Sequence, residues 1–176
     1  MKTAILTIST SVAAGESEDL SGPALVEHAT RAGAEVVATE VLPDDRERIA
    51  QTLRRLSEPA RGISLIFTTG GTGFTPDDVT PEATRAVIDR DAPGFAEAMR
   101  AESLRHTPLG ILTRGVSGIA ERTLIVNFPG NPKAIGELFP VIAPTLRHVV
   151  GTLSREGGRA SAKGGRGSAG GGHEHR

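Results

Sequence analysis

The stretch ISLIFTTGGTGFTPDDVTPE, residues 63–82, decides how the chain is read. Ile63 to Phe67 is short and mostly apolar, the pattern of a strand buried on both faces of a parallel sheet. It runs straight into a Gly-rich turn. Thr80-Pro81-Glu82 then has the form of a helix start, with Thr able to cap and Pro suited to the first turn. A strand, a glycine loop and a helix in succession form the repeating unit of a doubly wound α/β sheet. Such sheets bind ligands at the carboxyl ends of their strands.

The flanking sequence repeats the unit. Lys2 to Ile8 reads as a strand and Ser9 to Asp19 as a loop. Polar residues interrupt the apolar run at the start and no clean cleavage site follows, so a strand is expected there rather than a signal peptide. Ser21-Gly22-Pro23 opens a helix with Leu25, Val26, Ala29 and Ala32 on its apolar face, and Gly33 stops it. Glu35 to Val41 reads as a second strand. Asp44 and Glu47 form a capping-box pattern before a helix that buries Ile49, Leu53 and Leu56. Further on, a helix is expected from Pro93 to Arg105, and strands at Gly110–Thr113 and Thr123–Asn127. Asn131-Pro132-Lys133 opens a last helical region, with breaks expected near Pro140 and Pro144. One domain is expected over 1–153. Residues 154–176 are rich in Gly, Ser and Arg and read as a disordered tail.

Composition narrows the function. The chain has 176 residues, 38% hydrophobic and 23% charged, a globular balance. Its aromatic residues are 3%, all Phe, so stacking platforms for single-stranded nucleic acid cannot be built in number. The net charge is −1; five basic and two acidic residues in 155–176 leave 1–154 at −4. That argues against a nucleic-acid partner. With no Cys, neither disulfides nor thiolate metal sites are possible, which fits a cytoplasmic protein. No apolar run has the length of a membrane span.

The chemistry gathers on loops. Gly70, Gly71 and Gly73 permit close backbone approach, and with the hydroxyls of Thr69 and Thr72 they could cradle phosphate oxygens. A bare tight turn explains the glycines equally well. Asp77 and Asp78 follow in the same loop, Asp44 lies after the second strand, and Asp19 lies in the loop after the first. Carboxylates beside a phosphate repel it unless a cation intervenes, and Mg²⁺ is the natural bridge. Taken singly, Asp44 reads as a cap and Asp77 and Asp78 as turn residues; together the acids favour a cation-bridged nucleotide. A second Gly-rich region offers Ser117, Asn127, Gly130, Asn131 and Lys133 near a helix N-terminus, which favours an anion.

These residues resemble a known family. AILTIST, EDLSGPAL, VLPDD, IFTTGGTGFTPDDVTPEAT, APGFAEAMR, TPLGILTRGVSGI and TLIVNFPGNPKAI follow the pattern of the molybdopterin adenylyltransferases, the MogA/MoaB group, which includes the amino-terminal domain of gephyrin. The resemblance implies a three-layer sandwich with a mostly parallel central sheet, and a homotrimer. It implies adenylyl transfer from Mg-ATP to molybdopterin, releasing pyrophosphate, with a molybdenum-inserting enzyme as the partner that takes the product. It places the activity-bearing acids at Asp44 and Asp78, which with Asp19 form the expected metal set. Thr69 to Gly73 would hold the nucleotide, and Ser117, Asn127, Gly130, Asn131 and Lys133 the pterin. Two positions depart from the pattern: Asp77 stands where many relatives carry a basic residue, and Asn131 where relatives often have Ser. A pterin-binding or scaffold protein without transferase activity is the alternative reading.

Overall fold

The computed structural model describes residues 1–159. Its core is one six-stranded sheet. The strands are β1 (Lys2–Ile8), β2 (Glu35–Leu42), β3 (Leu65–Thr69), β4 (Arg90–Asp91), β5 (Ser117–Ala120) and β6 (Thr123–Phe128). They lie in the order β2-β1-β3-β6-β5-β4. β2, β1, β3 and β6 run parallel, while β5 and β4 are antiparallel additions at one edge. The helices are α1 (Thr10–Ala13), α2 (Ser21–Arg31), α3 (Arg46–Leu56), α4 (Thr80–Arg85), α5 (Pro93–His106), α6 (Pro132–Ile142) and α7 (Leu146–Arg159).

Period-2 alternation divides the core into two layers. Ile5, Leu65, Phe67, Leu124, Val126 and Phe128 face α2, α5, α6 and α7, meeting Leu25, Met99, Ile135, Phe139 and Leu146. Their neighbours in the same strands, Ala4, Leu6, Ile8, Ile66 and Ile125, point the other way, onto Ile49, Leu53 and Leu56 of α3 and Ala83 of α4. The result is the three-layer sandwich that the alternating pattern and the resemblance both imply. β3 and β6 are buried along their whole length, as central parallel strands must be. Phe67, Phe128 and Phe139 form one ring cluster with centroids 5.4–5.8 Å apart.

Several local expectations shift. Gly110–Thr113 is not a strand; Pro108–Leu112 is a 3-10 turn, started by Pro108 and by the Thr107 hydroxyl accepting from Leu109 N–H. Gly110 lies so close to α5 that a Cβ there would come within 2.8 Å of Ser103 Oγ, which an extended segment with a larger residue could not match. α6 passes through Pro140 unbroken. Its buried face of Ile135, Leu138, Phe139 and Ile142 offsets the missing N–H, and the chain yields only at the 3-10 turn Ala143–Thr145. The loop after β1 contains α1, capped by Ser9. α7 continues to Arg159, past the boundary expected at 153, and residues 160–176 of the expected tail lie outside the described residues.

The topology fixes where a ligand can enter. After β1 the chain crosses by α2 to β2 on one side; after β2 it returns by α3 to β3 on the other side, and α2 and α3 cover opposite faces. The loops leaving β1 and β3 therefore part at their carboxyl ends, and a crevice opens there.

Candidate active site

At this crevice the glycine loop after β3 is held in place mostly by its own backbone. Gly70 and Gly71 have φ of 96° and 67°, in the left-handed region. A Cβ on Gly70 would come within 2.2 Å of the Ile8 carbonyl oxygen, and one on Gly71 within 2.3 Å of Thr80 Oγ1. The Gly70 N–H donates to Phe128 O, the Thr69 hydroxyl to Pro129 O, and the Thr80 hydroxyl back to Gly70 O. Thr80 is thus the first residue of α4 and a strut under the loop, while Val79 takes the cap position. Thr69 and Gly70 spend these donors within the fold. Among the described residues no hydrogen bond takes up the N–H of Gly71 or of Thr72, so this pair can meet phosphate oxygens.

Asp44 and Asp78 border the loop at different glycines, Gly71 and Gly73. The Asp44 side chain does not cap α3; Asp45 does, accepting from Arg48 N–H at 3.0 Å. Asp44 is left to reach α1, where its Oδ2 accepts from the N–H and hydroxyl of Thr10 at 3.0 and 2.9 Å. Its Oδ1 faces the glycines, 3.2 Å from where a Gly71 Cβ would stand. Asp78 borders Gly73, whose Cβ would fall 2.8 Å from its Oδ2. That oxygen accepts from the N–H and hydroxyl of Thr75 at 2.9 and 2.7 Å. Burial opposes ionisation of Asp78, but the Thr75 bonds, the Gly73 N–H and the Arg114 charge outweigh it and hold the carboxyl below its ordinary value. Asp77 is exposed.

Asp19 lines a groove of about 440 Å³ between α2 and β2 that neither of them lines. Its carboxylate accepts from the Thr7 hydroxyl at 2.8 Å and from Gly22 N–H, in the first turn of α2, at 2.9 Å; Leu20 takes the cap position of that helix. Among the described residues no three acidic or His side chains form a metal cage. The donor set fits a cation held by single carboxylates and by ligand phosphates, the usual habit of Mg²⁺.

The second Gly-rich region also divides. Asn127 is buried, with Nδ2 donating to the hydroxyls of Thr68 and Thr84 and Oδ1 accepting from Val116 N–H. Ser117 is buried, donating to Ala92 O and accepting from Ala96 N–H at the start of α5. Both side chains are spent on joining elements, so neither is placed to hold a ligand phosphate. Gly130, Asn131 and Lys133 stay exposed at the N-terminus of α6, with Asn131 as its cap. Gly130 lies against Gly70: a Cβ on it would be 3.2 Å from Gly70 Cα. The two glycine loops therefore meet.

One residue of this region carries more than the sequence suggests. Arg114 donates from Nε to Gly73 O at 2.7 Å, from Nη2 to Asp78 O at 2.6 Å and from Nη1 to Glu82. Its own N–H donates to Thr72 O. The hydrogen bond from Arg114 is the main cause that holds the Glu82 carboxyl below its usual value, and Glu82 in turn raises the guanidinium. The motif TRGVSG marks Arg114 only as one polar residue in a turn; its partners stand more than thirty positions away.

The chain has known relatives over most of its length. A family model described as a probable molybdopterin binding domain matches residues 4–148. The chain is 42% identical over 139 residues to the molybdopterin adenylyltransferase of Haemophilus influenzae, covering 78% of this chain and 70% of that protein. It is 40% identical over 148 residues to the molybdenum cofactor synthesis protein cinnamon of Drosophila melanogaster, covering 83% of this chain but only 24% of that much longer protein. The crystal structure of the molybdopterin biosynthesis enzyme MoaB from Thermus thermophilus superimposes with a TM-score of 0.81 at 42% identity, covering 88% of this chain and 96% of that one. Since the family model spans most of the chain and the glycine loop, the crevice and the flanking acids all fall inside it, the chain belongs to the molybdopterin-binding family of the MogA and MoaB proteins.

Proposed function

We propose that the protein transfers an adenylyl group from Mg-ATP to molybdopterin in molybdenum cofactor biosynthesis. The observation that carries this reading is a pair of carboxylates, Asp44 beside Gly71 and Asp78 beside Gly73, bordering one glycine loop at the sheet's switch point. The adenylyltransferase named above is similar over most of its length, which supports the same reaction here.

The terminal phosphate of the pterin attacks the α-phosphorus of ATP. A new P–O bond forms, the bond to the β-phosphate breaks, and pyrophosphate leaves. The attacking phosphate is already ionised near neutral pH, so the protein need supply no strong base; placement and charge neutralisation do most of the work. The N–H groups of Gly71 and Thr72 meet the nucleotide phosphates. Gly130, Asn131 and Lys133 meet the pterin phosphate at the α6 N-terminus, where helix dipole and ammonium both favour an anion. Asp44 Oδ1 and the Asp78 carboxylate would hold Mg²⁺, which supplies charge neutralisation on the transferring phosphate. Both bonds from Thr75 to Asp78 fall on Oδ2.

The product is passed to a molybdenum-inserting enzyme. The working form is a cytoplasmic homotrimer, a reading supported by the apolar residues around Pro108–Leu112 that stand exposed in one chain. Among the described residues no helix is long and apolar enough to cross a membrane.

Turnover decides the matter. Asp78→Asn and Asp44→Asn, assayed with ATP, Mg²⁺ and molybdopterin, are each expected to lower kcat for pyrophosphate release by about 100-fold or more. Wild-type rates in either variant would remove that residue from the site. Tight molybdopterin binding by the wild type without any release of pyrophosphate would instead show the non-catalytic alternative.

A further inference from the structure

We propose that Arg114 is the positioning residue of this site: its guanidinium sets the shape of the 73–78 loop, and through the loop the place of the Asp78 carboxylate, without touching substrate. The inference rests on the assignment of Asp78 to the reaction.

Every arm of the guanidinium is already engaged. Nε holds Gly73 O at the beginning of the loop and Nη2 holds Asp78 O at its end, while Nη1 pairs with Glu82 on α4. One rigid planar group thus joins both ends of the loop to the helix that follows it. Within the span, Asp78 N–H donates to Thr75 O and its carboxylate takes the N–H and hydroxyl of Thr75. With its ends fixed, this small ring of bonds has one place to sit. The base of Arg114 is fixed too: its N–H meets Thr72 O, and Arg100 on α5 donates to the next carbonyl, Gly115 O, at 2.9 Å.

The charge also argues for positioning. Glu82 neutralises Arg114, so little of its charge is left for a substrate phosphate. Glu82 Oε2 is buried and has no hydrogen-bond partner among the described residues. The pair is part-exposed, and a part-exposed ion pair adds little to stability alone. It is a good device for holding a guanidinium in one orientation. Lysine cannot replace it, because an ammonium presents its donors from one point and cannot span two carbonyls at opposite ends of a loop.

The test uses Arg114→Lys and Arg114→Met in the full chain. Each is read by steady-state pyrophosphate release with ATP, Mg²⁺ and molybdopterin, and by amide hydrogen exchange over 72–80 without substrate. Both variants are expected to lose about 30-fold or more in kcat, with KM for either substrate within about threefold, since an interaction made through Asp78 counts in the transition state. Exchange over 72–80 should quicken about tenfold or more while β1, β3 and β6 keep wild-type protection. Recovery of wild-type kcat by Lys would overturn the proposal, because charge alone would then suffice. So would a rise in KM for molybdopterin at constant kcat, which would make Arg114 a substrate ligand, or unchanged exchange over 72–80. If Arg114→Met does not fold, Arg114→Lys carries both readouts. A wild type that releases no pyrophosphate would defeat the reaction assigned above, and the exchange measurement would still decide whether Arg114 holds the loop.

Discussion

Gly70 and Gly15 have φ of 96° and 75°, yet their surroundings differ completely. Around Gly15 a Cβ would meet nothing within 4 Å; at Gly70 it would run into the Ile8 carbonyl at 2.2 Å. The left-handed conformation costs an L-residue about 1–2 kcal/mol wherever it occurs. For Gly15→Ala that is the whole effect. For Gly70→Ala a backbone oxygen that cannot swing away is added, and the total is expected to exceed about 3 kcal/mol. Urea denaturation of the two variants separates the cases: equal midpoints would mean that the glycine loop yields, and that its tight contact with β1 does not shape the site.

At the scale of the element, neighbouring acids at the end of β2 divide the work. Asp45 caps α3 and Asp44 reaches across to the start of α1. A capping-box reading of Asp44 with Glu47 is off by one residue, and that one residue frees a carboxylate for the site. Asp45→Ala is expected to cost about 1 kcal/mol of stability and leave pyrophosphate release near wild type. Asp44→Ala should leave α3 intact and abolish most of the turnover. Thermal melts beside the turnover assay distinguish the pair; a loss of activity in Asp45→Ala as large as in Asp44→Ala would show that α3 itself, rather than the Asp44 side chain, is what matters. At α2 and α4 the cap positions fall to Leu20 and Val79, one residue before Ser21 and Thr80, and neither makes a side-chain capping bond.

For the whole molecule, the exposed apolar side chains are informative. Leu109 and Ile111 are 65% and 64% exposed on the 3-10 turn, with Leu112 beside them and Leu104 near the end of α5. Contiguous apolar surface of this kind is usually covered in the working assembly. In the proposed trimer a second copy covers it. The double change Leu109→Glu and Ile111→Glu should therefore convert the trimer to monomer at micromolar concentration, as read by light scattering on a sizing column. A persisting trimer would place the interface on another face.

Local pattern by itself determined the layers of the sheet. The short apolar runs of β1, β3 and β6, the helix-period faces of α2 and α3, and the glycine run after β3 are visible within a few residues, because side-chain direction along a strand or helix depends only on local geometry. The same run and the acids around it pointed to one edge of the sheet, and the family resemblance, not the local pattern, singled out Asp44 and Asp78 there. Tertiary structure alone decided which polar residues are free to act. Asn127 and Ser117 are consumed in joining β6, β5 and α5, while Asp19 ties Thr7 of β1 to the first turn of α2. Arg114 becomes the clamp of the Asp78 loop because the segment before β5 passes beside the loop after β3, forty-one positions earlier at Gly73. A donor's partner across such a distance is set by how the crossovers bring loops together, and no local pattern encodes that.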